Sequence, residues 1–317
     1  MKKAVFLIPY FGRFNNYFQL FLDSCKKNKD INWIIFTDDR RNFDFPQNVR
    51  VIYMTFDDLK NVFQNKFEFT IDLAKPYKLC DFRPAYGYLF EEYIKDYQYW
   101  GYCDTDIIFG DINRFVEEPI KLKYDKIFFL GHCTLIRNTP TLNRLFMKKL
   151  NDEILFKKVY SQEKNFSFDE EFNKSINNIF LEEKRRIYMS EVEANIYTKS
   201  SHFKLTNYNF EKKRYEVFSK KNTIFIYKDG RIWNISLRDG SLVNEEFMYI
   251  HLQSRKMQVK RKNRDYYKII PNAFEDITQD ITQKKGFILE KKCNPNFHYF
   301  KIRTKNLYIK IKRVLMK

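Results

Sequence analysis

Between Ala4 and Met54 the chain alternates apolar runs of strand length with a helical segment, and that order leaves few folds open. Ala4-Val5-Phe6-Leu7-Ile8 is an unbroken apolar run, stopped by Pro9-Tyr10-Phe11-Gly12. From Tyr17 to Lys27, Phe18, Phe21, Leu22 and Cys25 recur at helical spacing. Trp33-Ile34-Ile35-Phe36 predicts a second strand, ended by Thr37-Asp38-Asp39, and Val49 to Met54 a third. Strand, helix and strand in this order predict an open, mainly parallel α/β sheet flanked by helices. Ligands of such sheets sit beyond the carboxyl ends of the strands. Pro9, Tyr10, Phe11 and Asp38 are therefore expected nucleotide contacts, the aromatics by packing on a base and Asp38 by accepting hydrogen bonds. A plain turn is the competing reading of Asp38 and Asp39.

The alternation continues further along. Lys75 to Lys95 reads as one helix, with Leu79, Phe82, Tyr86, Leu89, Phe90 and Tyr93 inward. Tyr99 to Cys103 predicts a strand that runs straight into Asp104-Thr105-Asp106. Ile107 to Asp111 and Ile127 to Leu130 follow, and Leu142 to Val159 reads as helical. From Ser190 onward short strands are expected, including Thr223 to Tyr227 and Arg231 to Ser236 around a turn at Lys228-Asp229-Gly230. Phe247 to Ile250 is a late strand that delivers His251.

Charge is unevenly spread. The whole chain carries +18, but residues 1–120 hold 16 basic and 18 acidic side chains, so the excess lies behind them. A basic rear on a near-neutral front implies an anionic partner met by one end only, nucleic acid or an anionic membrane leaflet. No helix-turn-helix glycine turn, zinc-finger spacing or RNP-like motif supports nucleic acid. Aromatics at 18% exclude a disordered class. Cys25, Cys80, Cys103, Cys133 and Cys293 are odd in number and show no CxxC spacing, which implies neither a disulfide framework nor a zinc site and fits a reducing cytoplasm. No signal peptide or spanning run is visible, so the chain is expected neither to be translocated nor to cross a membrane.

Asp104-Thr105-Asp106 carries the chemistry. Two carboxylates one residue apart at a strand end can reach one hard divalent cation, Mn²⁺ or Mg²⁺, which also binds phosphate oxygens. The bland alternative is a strand-end turn with solvated acids. A GxxxxGK[ST] phosphate loop is absent.

With this motif after a strand in an α/β unit, the chain resembles the metal-dependent GT-A glycosyltransferases. Lys75-Pro76-Tyr77-Lys78-Leu79-Cys80-Asp81-Phe82-Arg83-Pro84-Ala85-Tyr86-Gly87 and His251-Leu252-Gln253-Ser254-Arg255-Lys256 resemble a group of uncharacterised bacterial transferases associated with capsule or lipopolysaccharide synthesis. The resemblance implies a GT-A type, Rossmann-like domain over residues 1–257, with a nucleotide-binding half (1–120) and an acceptor half (121–257). A basic, helical extension would occupy 258–317. It implies a nucleotide-sugar donor, a UDP-hexose by default, and a glycan or lipid-linked saccharide acceptor.

The implied roles fall on named residues. Asp104 and Asp106 would hold the metal and, through it, the diphosphate. His251 would be the late metal ligand, which suits Mn²⁺ better than Mg²⁺; a satisfied strand-end histidine is the alternative. Lys256 would face the diphosphate as a point charge, although the glycines and Lys-Pro pair that follow a similar histidine in galactosyltransferases are missing here. Lys78, Asp81 and Arg83 would support base, ribose or donor sugar, with a surface ion pair between Lys78 and Asp81 as the alternative. Gly131 to Asn138 would line the acceptor side. Asp169 or Glu170 would be the general base of an inverting enzyme, or else an acid cluster at a helix N-terminus.

The tail interleaves Lys301, Arg303, Lys305, Lys310, Lys312, Arg313 and Lys317 with apolar residues from Phe300 to Met316. It is read as an interfacial helix on the inner membrane face, or as a helix packed on the core with a solvated basic face. The competing functions are a two-metal phosphotransferase or nuclease that recruits Asp111, a basic nucleic-acid-binding protein, and a non-catalytic carbohydrate-binding module.

Overall fold

The computed structural model describes residues 1–315 except 172, 191, 196–202, 210, 211, 213, 220, 221 and 293–296. Cys293, Met316 and Lys317 lie outside the described residues.

The front half is a three-layer α/β arrangement. Strands β1 (Lys2–Pro9), β2 (Ile31–Thr37), β3 (Val49–Tyr53) and β4 (Tyr97–Cys103) run parallel in the spatial order β3-β2-β1-β4. The alternation along β1 explains the layering. Val5 and Leu7 enter one core with Leu79, Phe82 and Tyr86, while Ala4, Phe6 and Ile8 enter the other with Phe18, Phe21 and Leu22. A strand buried on both faces is apolar at every position, which is the pattern the sequence shows.

β5 (Ile107–Phe109) leaves this sheet, while β6 (Lys126–Ile127), β7 (Cys133–Arg137) and β8 (Ile187–Tyr188) extend it. β7 is antiparallel to β4, so the sheet is parallel in its front half and mixed beyond. β5 instead joins a second sheet with β9 (Glu193–Asn195), β10 (Lys204–Asn209), β11 (Arg214–Ser219) and a later strand, Tyr249–His251. A third sheet holds β12 (Thr223–Lys228), β13 (Arg231–Arg238) and β14 (Ser241–Phe247). The Tyr249–His251 strand is β15. Then β16 (Gln258–Val259), β17 (Tyr266–Ile270) and β18 (Ala273–Glu275) complete the third sheet.

Several expectations change. Lys75 to Lys95 is not one α-helix but a chain of short 3₁₀ and α turns from Pro76 to Ile94. Pro84 lacks the N–H that an α turn needs, and the rod rewinds as a 3₁₀ turn there. Leu142 to Val159 breaks at a tight turn bridging Leu150 and Glu153, because Asn151 and Asp152 adopt left-handed φ of 47° and 63°. Ile127 to Leu130 stops as a strand at Phe128, whose φ is 68°. Phe247 to Ile250 is split: Phe247 ends β14, and β15 belongs to a different sheet.

The boundary expected at Met257 cuts through the third sheet. β17 pairs with β12, and the buried Lys268 reaches Glu290 at 2.6 Å. The stretch from 258 to 275 is thus sheet, not helix. Among the described residues from 258 onward, only Lys284–Lys292 and Phe297–Leu315 are helical. Among the described residues no helix is long and apolar enough to cross a membrane.

Candidate metal centre

Strand order reverses at β1: β2 and β3 lie to one side of it and β4 to the other. The crevice beyond the carboxyl ends of β1 and β4 is where open α/β sheets bind ligands. Asp104-Thr105-Asp106 occupies this corner, between β4 of the first sheet and β5 of the second.

The rear half brings in the third candidate ligand by strand register. β15 pairs with β5, placing His251 opposite Ile107, beside Asp106. Leu252 N–H donates to the Asp106 carbonyl at 2.9 Å, and Ser254 N–H donates to the Asp106 carboxylate. Gln253 and Ser254 both take left-handed φ, 48° and 53°, which folds the loop back over the acid. His251 Nε2 stands 3.3 Å from Asp104 and 3.4 Å from Asp106. One ligand atom from each of the three lies within 4.8 Å of the others. Two carboxylate oxygens and one imidazole nitrogen fit Mn²⁺ or Mg²⁺, with nitrogen favouring Mn²⁺.

The surroundings orient the imidazole. On its other side, β9 pairs in parallel and puts Asn195 in register with His251. The Asn195 side-chain oxygen is 2.9 Å from His251 Nδ1. An oxygen there can only accept, so Nδ1 keeps its hydrogen and Nε2 faces the two carboxylates. His132 stacks on His251 with ring centroids 4.3 Å apart, and its Nδ1 meets Tyr249 Oη at 3.0 Å. Burial opposes charge on His251, but Asp106 and Asp104 outweigh it and raise its pKa to about 10. Burial would likewise raise Asp104, yet Arg83 and His251 hold it well below the usual carboxylate range. Removing the orienting group, Asn195→Ala, is expected to weaken Mn²⁺ binding about 10–100-fold. Titration calorimetry with Mn²⁺ checks it; unchanged affinity would show that Asn195 does not orient the ring.

Arg83 links this trio to the expected base. Its guanidinium bonds Asp104 on one arm, and on the other Asp169 at 2.8 Å and the Gly131 carbonyl at 3.1 Å. Gly131 N–H donates to Glu170 at 2.8 Å. A Cβ on Gly131 would collide with the Asp169 carboxylate, so only glycine fits between these acids. Asp169 is buried, with Glu170 less so, and both lie in a turn rather than at a helix N-terminus. Burial first, then Glu170 and Asp104 against Arg83, push Asp169 up to about 7. Behind it, burial lowers Lys126 to about 7.

Other expected contacts divide. Asp38 accepts from Gly12 N–H at 2.7 Å, tying the loops after β1 and β2 together at the crevice. Pro9 and Tyr10 are half-buried there, and Tyr10 feels the Asp106 charge. Phe11 does not offer a base a free face: it turns into the core and packs on Phe56 at 5.3 Å. Lys78 and Asp81 need the larger correction. They are 4% and 0% exposed, so they are not a surface pair, and their polar atoms are spent on each other and on backbone groups rather than turned to a ligand. Lys78 Nζ meets Asp81 at 2.8 Å, the Val159 carbonyl at 2.8 Å and the Lys164 carbonyl. Asp81 also accepts from Phe166 and Phe168 N–H. All three ammonium donors are committed, and the pair instead ties down the segment that carries Asp169. Lys256 is exposed, beyond the buried Arg255. Asp111 accepts from Arg114 N–H at 3.4 Å, and among the described residues Asp104, Asp106 and His251 are the one acid-histidine group spaced for a metal.

Asn195 and Ser254 carry no signal of their own in the sequence, since register and loop path alone bring them to the site. Asn15 and Asn16 are similar: their side chains reach the Thr105 carbonyl at 3.4 Å and the Met257 carbonyl at 2.7 Å, stitching the first loop to both halves of the site.

Fold and site define an α/β protein with a three-residue candidate cation centre at the switch point of its sheet. The chain belongs to the family described as a family of unknown function, DUF6625, whose model matches residues 6–278. It is 30% identical over 156 residues to an uncharacterised protein of Plasmodium falciparum (isolate 3D7), covering 48% of this chain and spanning only 6% of that protein's length. Among solved structures it is similar to the galactosyltransferase LgtC in complex with donor and acceptor sugar analogues, at TM-score 0.31 and 11% identity over 61% of this chain and 75% of that one. It is also similar to mouse xyloside xylosyltransferase 1, apo form, at TM-score 0.34 and 9% identity over 62% and 88%.

Proposed function

We propose that the chain is a metal-dependent glycosyltransferase of GT-A type. It moves a sugar from a nucleotide-sugar donor, a UDP-hexose, to a glycan or lipid-linked saccharide in bacterial surface polysaccharide synthesis, capsule or lipopolysaccharide, in the cytoplasm. The observation that carries this reading is the convergence of Asp104, Asp106 and His251 at the sheet's switch point.

A divalent cation bound there, Mn²⁺ before Mg²⁺, would neutralise charge on the departing diphosphate. Asp104, Asp106 and His251 would hold it. Asp38, Pro9 and Tyr10 border the base and ribose, and Lys256 supplies a positive charge to the diphosphate from its exposed loop. Arg83 keeps Asp104 and Asp169 in fixed relation and borders the donor sugar. Asp169, with Glu170 beside it, takes the proton from the acceptor hydroxyl; a carboxyl near pH 7 is well matched to that work.

Two outcomes are expected. In Mn²⁺, UDP raises the melting temperature, because a ligand of the folded state alone stabilises it. If UDP, GDP and CMP all leave it unmoved in Mn²⁺, the reading fails. Second, the deprotonated form of Asp169 is the base and predominates above its pKa, so kcat/KM for transfer should rise through about pH 7. Asp169→Asn should lower the rate by about 10²–10⁴-fold and remove that limb. A variant that keeps the wild-type pH profile would exclude Asp169 as the base.

A further inference from the structure

The described chain ends in a 19-residue helix, Phe297–Leu315, with six cations and no acid. Phe300, Leu307, Ile311 and Val314 fall at i, i+7, i+11 and i+14, which at 3.6 residues per turn is one stripe. These four are 58%, 58%, 49% and 69% exposed. The same helical geometry puts Arg303 and Lys310 along one margin of the stripe and Lys301 and Lys312 along the other. Ile309, on the opposite face, is half-buried. The stripe is therefore exposed to solvent and not packed into the core. An exposed apolar row bordered by cations on both sides is a surface built for two chemistries at once.

We propose that Phe297–Leu315 is an interfacial anchor that lies flat on an anionic bilayer, its stripe in the acyl boundary and its lysines and arginines at phosphate level. The charge is complementary to that surface along the whole length of the helix. Long cationic side chains beside an apolar stripe can keep their stems in contact with lipid and their heads in water. With six cations the helix cannot span the bilayer. A second copy would oppose like charges, and a nucleic acid would use the cations while leaving the stripe in water. The inference stands apart from the glycosyl-transfer reading, since lipid binding needs neither donor nor metal.

The test is co-sedimentation of the full chain with vesicles of phosphatidylcholine alone or with about 30% phosphatidylglycerol. Binding is expected only to the anionic vesicles. The variant Leu307→Ser/Ile311→Ser/Val314→Ser should lower partitioning at least about tenfold, and Lys301→Gln/Arg303→Gln/Lys312→Gln should do likewise. Both should melt at the wild-type temperature. Equal binding to neutral vesicles, full binding by the stripe variant, or displacement from vesicles by duplex DNA that the stripe variant still binds would each overturn the proposal.

Discussion

Asp104→Asn and His251→Ala are each expected to remove the Mn²⁺-dependent stabilisation by UDP and to lower sugar transfer by roughly 10²–10³-fold or more. The reasoning is geometric. The three candidate ligands meet where two sheets adjoin, and each offers one donor atom within 4.8 Å of the others. Two carboxylates without the imidazole, or one carboxylate with it, leave too few fixed donors for a hard cation that, on the proposed function, would also hold a diphosphate. The fold should survive. Asp104 lies in a corner rather than in a strand, and Arg83 retains Asp169 as a partner when Asp104 is neutralised. Thermal melts with and without Mn²⁺ and UDP, alongside nucleotide-release assays, separate the cases. A full metal-dependent shift in either variant would remove that residue from the ligand set.

The largest expected loss of stability comes from a pair outside the metal centre. Lys78→Met leaves Asp81 buried, charged and without its cation, and deprives two backbone carbonyls of a donor. Breaking a buried ion pair from one side costs about 3–5 kcal/mol. At roughly 2–4 °C per kcal/mol for chains of this size class, the melting temperature should fall by ~10 °C. The double variant Lys78→Met/Asp81→Leu should recover part of that loss, because no lone charge remains buried. Chemical denaturation would measure both. A fall under about 1 kcal/mol for the single variant would mean the pair behaves as a surface pair does. Because Asp81 anchors Phe166 and Phe168, transfer activity should also drop through displacement of Asp169.

Local pattern made much of this molecule legible. The front strands, their order of appearance and the first helix follow from apolar periodicity, since the middles of β1 (Ala4–Ile8) and β2 (Trp33–Phe36) are buried on both faces and apolar throughout. Asp104 and Asp106 could be read as ligands because two acids share one strand end. The misreadings have local causes too. Asn151 and Asp152 turn a helical pattern back on itself, and Pro84 tightens the rod before β4. Lys78 and Asp81 show how far spacing goes: three positions apart predicts contact, and contact is found, but depth is not a property of spacing.

By itself, then, the sequence determined the parallel α/β front, the acid pair at the end of β4 and the amphipathic, cationic end of the chain. Each is written in neighbouring residues. The tertiary structure alone decided the remainder. It set His251 beside the acids through β5–β15 pairing, gave it Asn195 through β9, and joined Asp169 to Asp104 through Arg83. It also tied residues 258–275 into the third sheet and turned the stripe of the last helix outward. The physical reason is common to all of these. Sheet register and burial are set by packing between segments distant in the chain, and a local pattern carries no record of its distant partner.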